Sequence, residues 1–133
     1  METKELMLGD LVLCDGKVCR VLELGGMACV TPIDKTEELF CNDKDLEPIP
    51  LTAEILEKNG WKVNSCGGCN LRYHHWNINI YPNENRIYVN CHKGNFIQGV
   101  LDIRDTRGER HPLCIHQLQH ALKLCGIDKT IKL

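Results

Sequence analysis

The sequence predicts an α+β protein: a small N-terminal β-barrel, a short linking helix, then an antiparallel sheet with one C-terminal helix packed on it. Three observations lead there. The first fifty residues alternate apolar and polar side chains in short runs, broken by Asp15-Gly16 and Gly25-Gly26. "PLTAEILEKNG" (50–60) carries helix start and stop signals. From Leu71 onward the alternation returns in longer runs, until "HPLCIHQLQHALKLCG" (111–126) changes to helical spacing. The expected organisation is a barrel over residues 1–50 and a sheet plus helix over 51–133. No long Gly/Ser linker separates them, so the two parts are expected to pack together.

The barrel strands come first. Val12 and Cys14 share one strand face; Val18, Arg20, Leu22 and Leu24 alternate with Cys19, Val21 and Glu23. Asp15-Gly16 suits a type I′ hairpin, in which both central residues need positive φ. Gly25-Gly26 marks a second hairpin, and 27–33 and 37–41 supply two more strands. Barrels opening on "GDLV" (9–12) resemble SH3-like or KOW-like modules, a resemblance of fold that implies nucleic-acid binding in some families and peptide binding in others.

In the linking piece, Pro48 and Pro50 exclude a central strand. Thr52 is a good N-cap, Leu51 with Leu56 fits a hydrophobic staple, and Gly60 fits the C′ stop.

The second half is read by register. "LRYHHWNINIY" (71–81) reads as one long strand whose parity slips at His74-His75, where a β-bulge is expected. If 82–85 is a four-residue loop, Ile80 faces Ile87, Ile78 faces Val89 and Trp76 faces Cys91, so every apolar residue points one way. The same register sets Asn79 by Tyr88, Asn77 by Asn90 and His75 by His92 on the polar face. Residues 96–103 form the next strand, "DTRGER" (105–110) is a charged loop, and Pro112 suits the first position of the last helix. Ile115, Leu118, Leu122 and Cys125 recur at helical spacing, and Gly126 closes it.

Composition limits the chemistry. A 133-residue chain that is 43% hydrophobic can bury a core without disulfides. Nine cysteines, an odd count, argue against a closed disulfide framework. With no signal peptide or membrane-length apolar run recognised, the reading is cytoplasmic, with reduced thiols acting mostly as small hydrophobes and no membrane partner. Residues 1–50 hold 11 acidic and 5 basic side chains, against 7 and 11 in 51–133. The acidic part repels phosphate; the second part tolerates an anionic partner.

The candidate sites follow. "SCGGCN" (65–70) has the spacing of a zinc knuckle or a redox pair. No second C-x-x-C accompanies it, and strand rather than helix follows it, so a glycine turn flanked by Cys66 and Cys69 is favoured, with metal at Cys66 and Cys69 as the alternative. Arg72, Tyr73 and His75 interleave basic and aromatic groups and form a candidate stacking platform for single-stranded nucleic acid, and His75 with His92 across the hairpin is a candidate pair for sharing a metal or a phosphate group. His116 and His120 lie opposite the Leu118 stripe and are expected to face solvent, without the glutamate of H-E-x-x-H. No catalytic constellation emerges from spacing, no cofactor is expected, and an enzyme is the less expected class.

Three strings, "ELMLGDLVL" (5–13), "LEPIPLTAEILEKNGW" (46–61) and "IHQLQHAL" (115–122), together resemble a large set of short uncharacterised bacterial proteins from prophages and mobile elements of gut anaerobes. The residues 123–128 depart from the Gly-Glu-Glu-Leu run that usually follows H-Q-L-Q. The resemblance implies no particular activity. The expected function is therefore a non-enzymatic binding module with a protein partner. A nucleic-acid binder using the basic second half, or a small metal-dependent enzyme, are the alternatives.

Overall fold

The computed structural model describes residues 1–108 and 111–133. The fold is α+β, with two five-stranded antiparallel sheets and two α-helices among the described residues. It forms two compact units, Met1–Ile49 with Cys114–His116, and Pro50–Leu113 with Gln117–Leu133.

The first unit contains β1 (Leu11–Cys14), β2 (Lys17–Leu24), β3 (Ala28–Pro32), β4 (Leu39–Cys41) and β5 (Leu46–Glu47), in the order β4-β3-β2-β1-β5. Asp15 (φ 55°) and Gly16 (φ 76°) both take the left-handed region, as the hairpin reading required. On β2 the inward parity is Cys19 and Val21. The register then shifts between Val21 and Glu23, so that Leu24 pairs with Ala28 at the end of the strand, where it is exposed. Val12, Cys19, Val21, Ala28, Val30 and Leu46 form the core. The two-residue β5 pairs with β1 at the sheet edge, the kind of place that the neighbouring Pro48 allows.

Cys14 and Cys41 are joined by a disulfide, which corrects the expectation of nine reduced thiols. The spacing of the two residues gives no hint of their meeting; the curl of the sheet brings it about. β1 and β4 are three strand steps apart, about 14 Å in a flat sheet. Their cysteine Cα atoms lie 6.6 Å apart, so the sheet is rolled into a half-barrel. Of the other seven, Cys19, Cys29, Cys69, Cys91 and Cys114 are buried as small hydrophobes.

The second unit begins with α1 (Ala53–Lys58). The Thr52 hydroxyl accepts from the Ile55 N–H at 3.2 Å, the expected N-cap. Gly60, at φ 98°, is the C′ residue: its N–H donates to the Glu57 carbonyl and that of Trp61 to the Leu56 carbonyl, the two bonds of a Schellman end. Then follow β6 (Lys62–Val63), β7 (Cys69–Tyr73), β8 (Trp76–Tyr81), β9 (Arg86–Lys93) and β10 (Phe96–Arg104), paired in sequence order.

The β8–β9 register is as predicted: Trp76 opposite Cys91, Ile78 opposite Val89, Ile80 opposite Ile87. The bulged long strand is corrected. The chain folds back at His74-His75, so Tyr73 pairs with Trp76, Leu71 with Ile78 and Cys69 with Ile80. A two-residue hairpin changes side-chain parity between the flanking runs just as a bulge does, which is why the pattern alone suggested the wrong device. His74 takes φ 55°, where histidine is tolerated and a β-branched residue is strained. His74→Val is expected to lower stability by about 1–2 kcal/mol, and His74→Gly to leave it unchanged or raise it by up to about 1 kcal/mol. Thermal melting of the two variants checks this, and equal losses in both would remove the tight turn.

The second helix, α2 (Ile115–Leu124), starts three residues after Pro112. Residues before it are held extended: the Leu113 carbonyl accepts from the Leu51 N–H at 2.8 Å. Ile115, Leu118, Ala121 and Leu122 are buried, and Gly126 (φ 70°) ends the helix in a second Schellman pair. His116 is buried rather than facing solvent, because Cys114, Ile115 and His116 are covered together at the first turn; His120 is half-buried. The charged loop predicted over 105–110 is described only to Gly108; Glu109 and Arg110 lie outside the described residues.

Candidate functional site

Strand alternation in the second unit buries Cys69, Ile78, Ile80, Ile87, Val89 and Cys91 and turns the residues between them to the other side. That outer face is polar over its two central rows. One row runs Lys62, Asn70, Asn79, Tyr88, Asp102; the next runs Arg72, Asn77, Asn90, Gly99. The side-chain amides bond across strands: Asn70 Nδ2 donates to Asn79 Oδ1 at 2.7 Å, and Asn77 Nδ2 to Asn90 Oδ1 at 3.0 Å. The Asn77 amide also meets the His92 ring nitrogen. Such pairs tie the amides together across the strands.

Arginine and tyrosine flank this ladder. Arg86 makes a bidentate pair with Asp102, Nε to Oδ1 at 2.9 Å and Nη2 to Oδ2 at 3.1 Å. Its guanidinium stands 5.2 Å from the Tyr88 ring centre and 5.6 Å from that of Tyr81. The hydrogen bonds from Arg86 hold the Asp102 carboxyl below the usual carboxylate range. Tyr88 leans over Gly99, where a methyl group would come within 2.8 Å of its hydroxyl. A side chain at 99 would therefore require the Tyr88 ring to shift from this position. Arg72 is exposed, and the Arg104 side chain is 60% exposed at 3.9 Å from Asp102. Beyond Tyr81 the face ends in an open groove of about 370 Å³, between Cys66 on one wall and Asn83 and Glu84 on the other.

The four predicted binding residues are divided by this geometry. Arg72 and His92 stand on the outer face. His75 sits in the turn, its carbonyl accepting from the His92 N–H at 2.8 Å and its ring 5.0 Å from Trp76. Tyr73 is on the opposite side: its hydroxyl donates to the Asp128 carbonyl at 3.0 Å, and Lys129 lies over both its ring and that of Trp61. The asparagines, which the register sets on the polar face, and Arg104 are not among the candidate binding residues read from the sequence. The signal that could have found them is the "NINI" alternation combined with a β7 that turns back.

Cys66 lies in the middle of the five-residue turn, 64–68, that joins β6 to β7, and Cys69 is the first residue of β7, so the two cysteines do not flank the turn as a pair. The Asn64 carboxamide oxygen accepts from the Cys66 and Gly68 N–H groups, each at 3.0 Å, and Gly67 takes φ 84°. Cys69 is buried, and that burial pushes its thiol pKa up, whereas Cys66 is exposed. The two sulfurs thus occupy different environments. No three His, Cys, Asp or Glu side chains converge as a metal-binding group among the described residues.

No family model matches this chain, and neither a curated protein nor a solved structure is similar to it.

Proposed function

We propose that this chain is a non-enzymatic binding module, of phage or mobile-element origin as its sequence resemblance suggests, whose second unit binds single-stranded nucleic acid on the outer face of β7–β10. The observation that carries this reading is the composition of that face. An ordered amide ladder is bordered by Arg72, Arg104 and Lys62, with Tyr81 and Tyr88 beside it, and its main carboxylate, Asp102, is already held by Arg86. Cations near the face attract the phosphate chain. Amides meet the hydrogen-bonding edges of unpaired bases, and tyrosines offer stacking surface. The first unit, an acidic SH3-like barrel in this reading, repels the same polymer.

The test is fluorescence anisotropy with labelled 12-nucleotide oligo-dT and oligo-rU across a salt series. Binding is expected at low salt, weakening linearly in log–log form as salt rises. Arg72→Ala should weaken it several-fold and reduce the salt slope by roughly 0.7, the value for one phosphate contact on a single strand. Arg72→Glu should abolish it, while Lys17→Glu in the first unit should not weaken it. Absence of binding at low salt, or an Arg72→Glu variant that binds like the parent, would remove the proposal.

A further inference from the structure

The sheet edges differ in a way the polar face does not explain. Among the described residues, three of the four are very short: β4 has three residues, β5 and β6 two each. Short edge strands are one way proteins avoid unwanted pairing. The fourth edge is β10, nine residues long, with Phe96 to Val100 exposed throughout. Phe96 is 79% exposed, Ile97 65% and Val100 44%. No charge or proline occurs from Gly94 to Leu101. The register shift between Gly99 and Leu101 breaks the edge, leaving Phe96–Gly99 as a regular, unblunted run.

We propose that Phe96–Gly99 is a strand-addition site for an extended, acidic segment of a partner protein. Main-chain groups on the free side of β10 supply the pairing, and alternate guest side chains lie beside Phe96 on one face and Ile97 on the other. The acidic requirement comes from position. Lys93 stands opposite Phe96 in the ladder and is exposed, so an ammonium lies one strand in from the guest. Arg104 stands at the far end of the strand. A second copy of this chain is the less fitting occupant. Two folded chains meeting along so short a run would bury far less than the roughly 1,200–2,000 Å² of a stable interface, whereas a flexible segment needs only a short paired run.

The experiment pans a displayed library of random 12-residue peptides on the full chain and measures the winners against a Phe96→Asp/Ile97→Asp double variant. Both side chains are exposed, so the variant should keep its parent's melting curve. Enriched peptides are expected to alternate apolar residues, to carry Asp or Glu, and to lose at least about tenfold in affinity on the variant. Amide hydrogen exchange should slow along residues 96–99 when such a peptide binds. The proposal is overturned if no peptide is enriched, if the winners bind the variant equally well, or if they are basic. It is overturned equally if sedimentation shows a dimer that the double substitution dissociates, which would make the occupant a second copy.

Discussion

Removing the Cys14–Cys41 bond, by Cys14→Ala with Cys41→Ala, is expected to destabilise the first unit by about 3–4 kcal/mol. The bond spans 27 residues of chain, and closing a loop of that length restricts the unfolded ensemble by roughly this amount. The folded state adds a second reason. The bond ties β1 to β4, strands that a flat sheet would hold well apart, and so maintains the curl enclosing Val12, Val21 and Val30. Hydrogen exchange read by mass spectrometry suits the measurement, since both tryptophans lie in the second unit. Peptides from residues 11–41 should exchange faster in the variant, while those from 69–93 should not. Thiol titration in denaturant without reductant should count seven groups, against nine after reduction. Nine before reduction would eliminate the bond. In a compartment kept reducing, as the cytoplasmic expectation supposes, the same loss would follow reduction rather than mutation.

This bond also marks where sequence reading ends. Hairpins were legible because local patterns settle them. Asp15-Gly16 left one turn type, and Ile78, Ile80, Ile87 and Val89 admitted one register that gathers the apolar residues. The capping of α1 was equally local, from Thr52 to Gly60. A pairing between Cys14 and Cys41 depends on the curvature of a whole sheet, which no window of sequence encodes.

The fold-back at His74-His75 failed for a different reason. Its parity change was seen, but two histidines carry none of the Asn-Gly or Asp-Gly signal of a tight turn. The consequence reaches the site. With β7 and β8 read as one strand, Arg72 and Asn77 lie far apart along it. With the turn in place they are direct neighbours, and the polar face gains the row Arg72, Asn77, Asn90. Pro112 misled in a similar way: the sequence permits a helix start there, but the backbone bond between Leu51 and Leu113 keeps that stretch extended.

Asn59→Ala is expected to destabilise the second unit by about 2–4 kcal/mol, although the residue touches neither proposed binding surface. Asn59 is the C-cap of α1 and is buried. Its Nδ2 donates to the Ile55 carbonyl at 2.8 Å and to the Lys132 carbonyl at 2.7 Å, and its Oδ1 accepts from the Lys132 N–H at 2.7 Å. One carboxamide therefore fastens residues 127–132, with buried Ile127 and Ile131, to the end of the helix. Alanine removes three bonds and leaves the Lys132 peptide groups to find water, a loss on the order of 1 kcal/mol each. Asn59→Asp discriminates further. It retains an acceptor for the Lys132 N–H but turns a carboxylate oxygen toward two carbonyls, so it should be no better than alanine despite near-identical size. Urea unfolding followed by Trp61 fluorescence gives the stability, since Lys129 of the fastened segment lies over that ring. Faster hydrogen exchange confined first to 127–132 would identify the clamp as the cause. An unchanged midpoint in both variants would mean that Ile127 and Ile131 hold the segment without it.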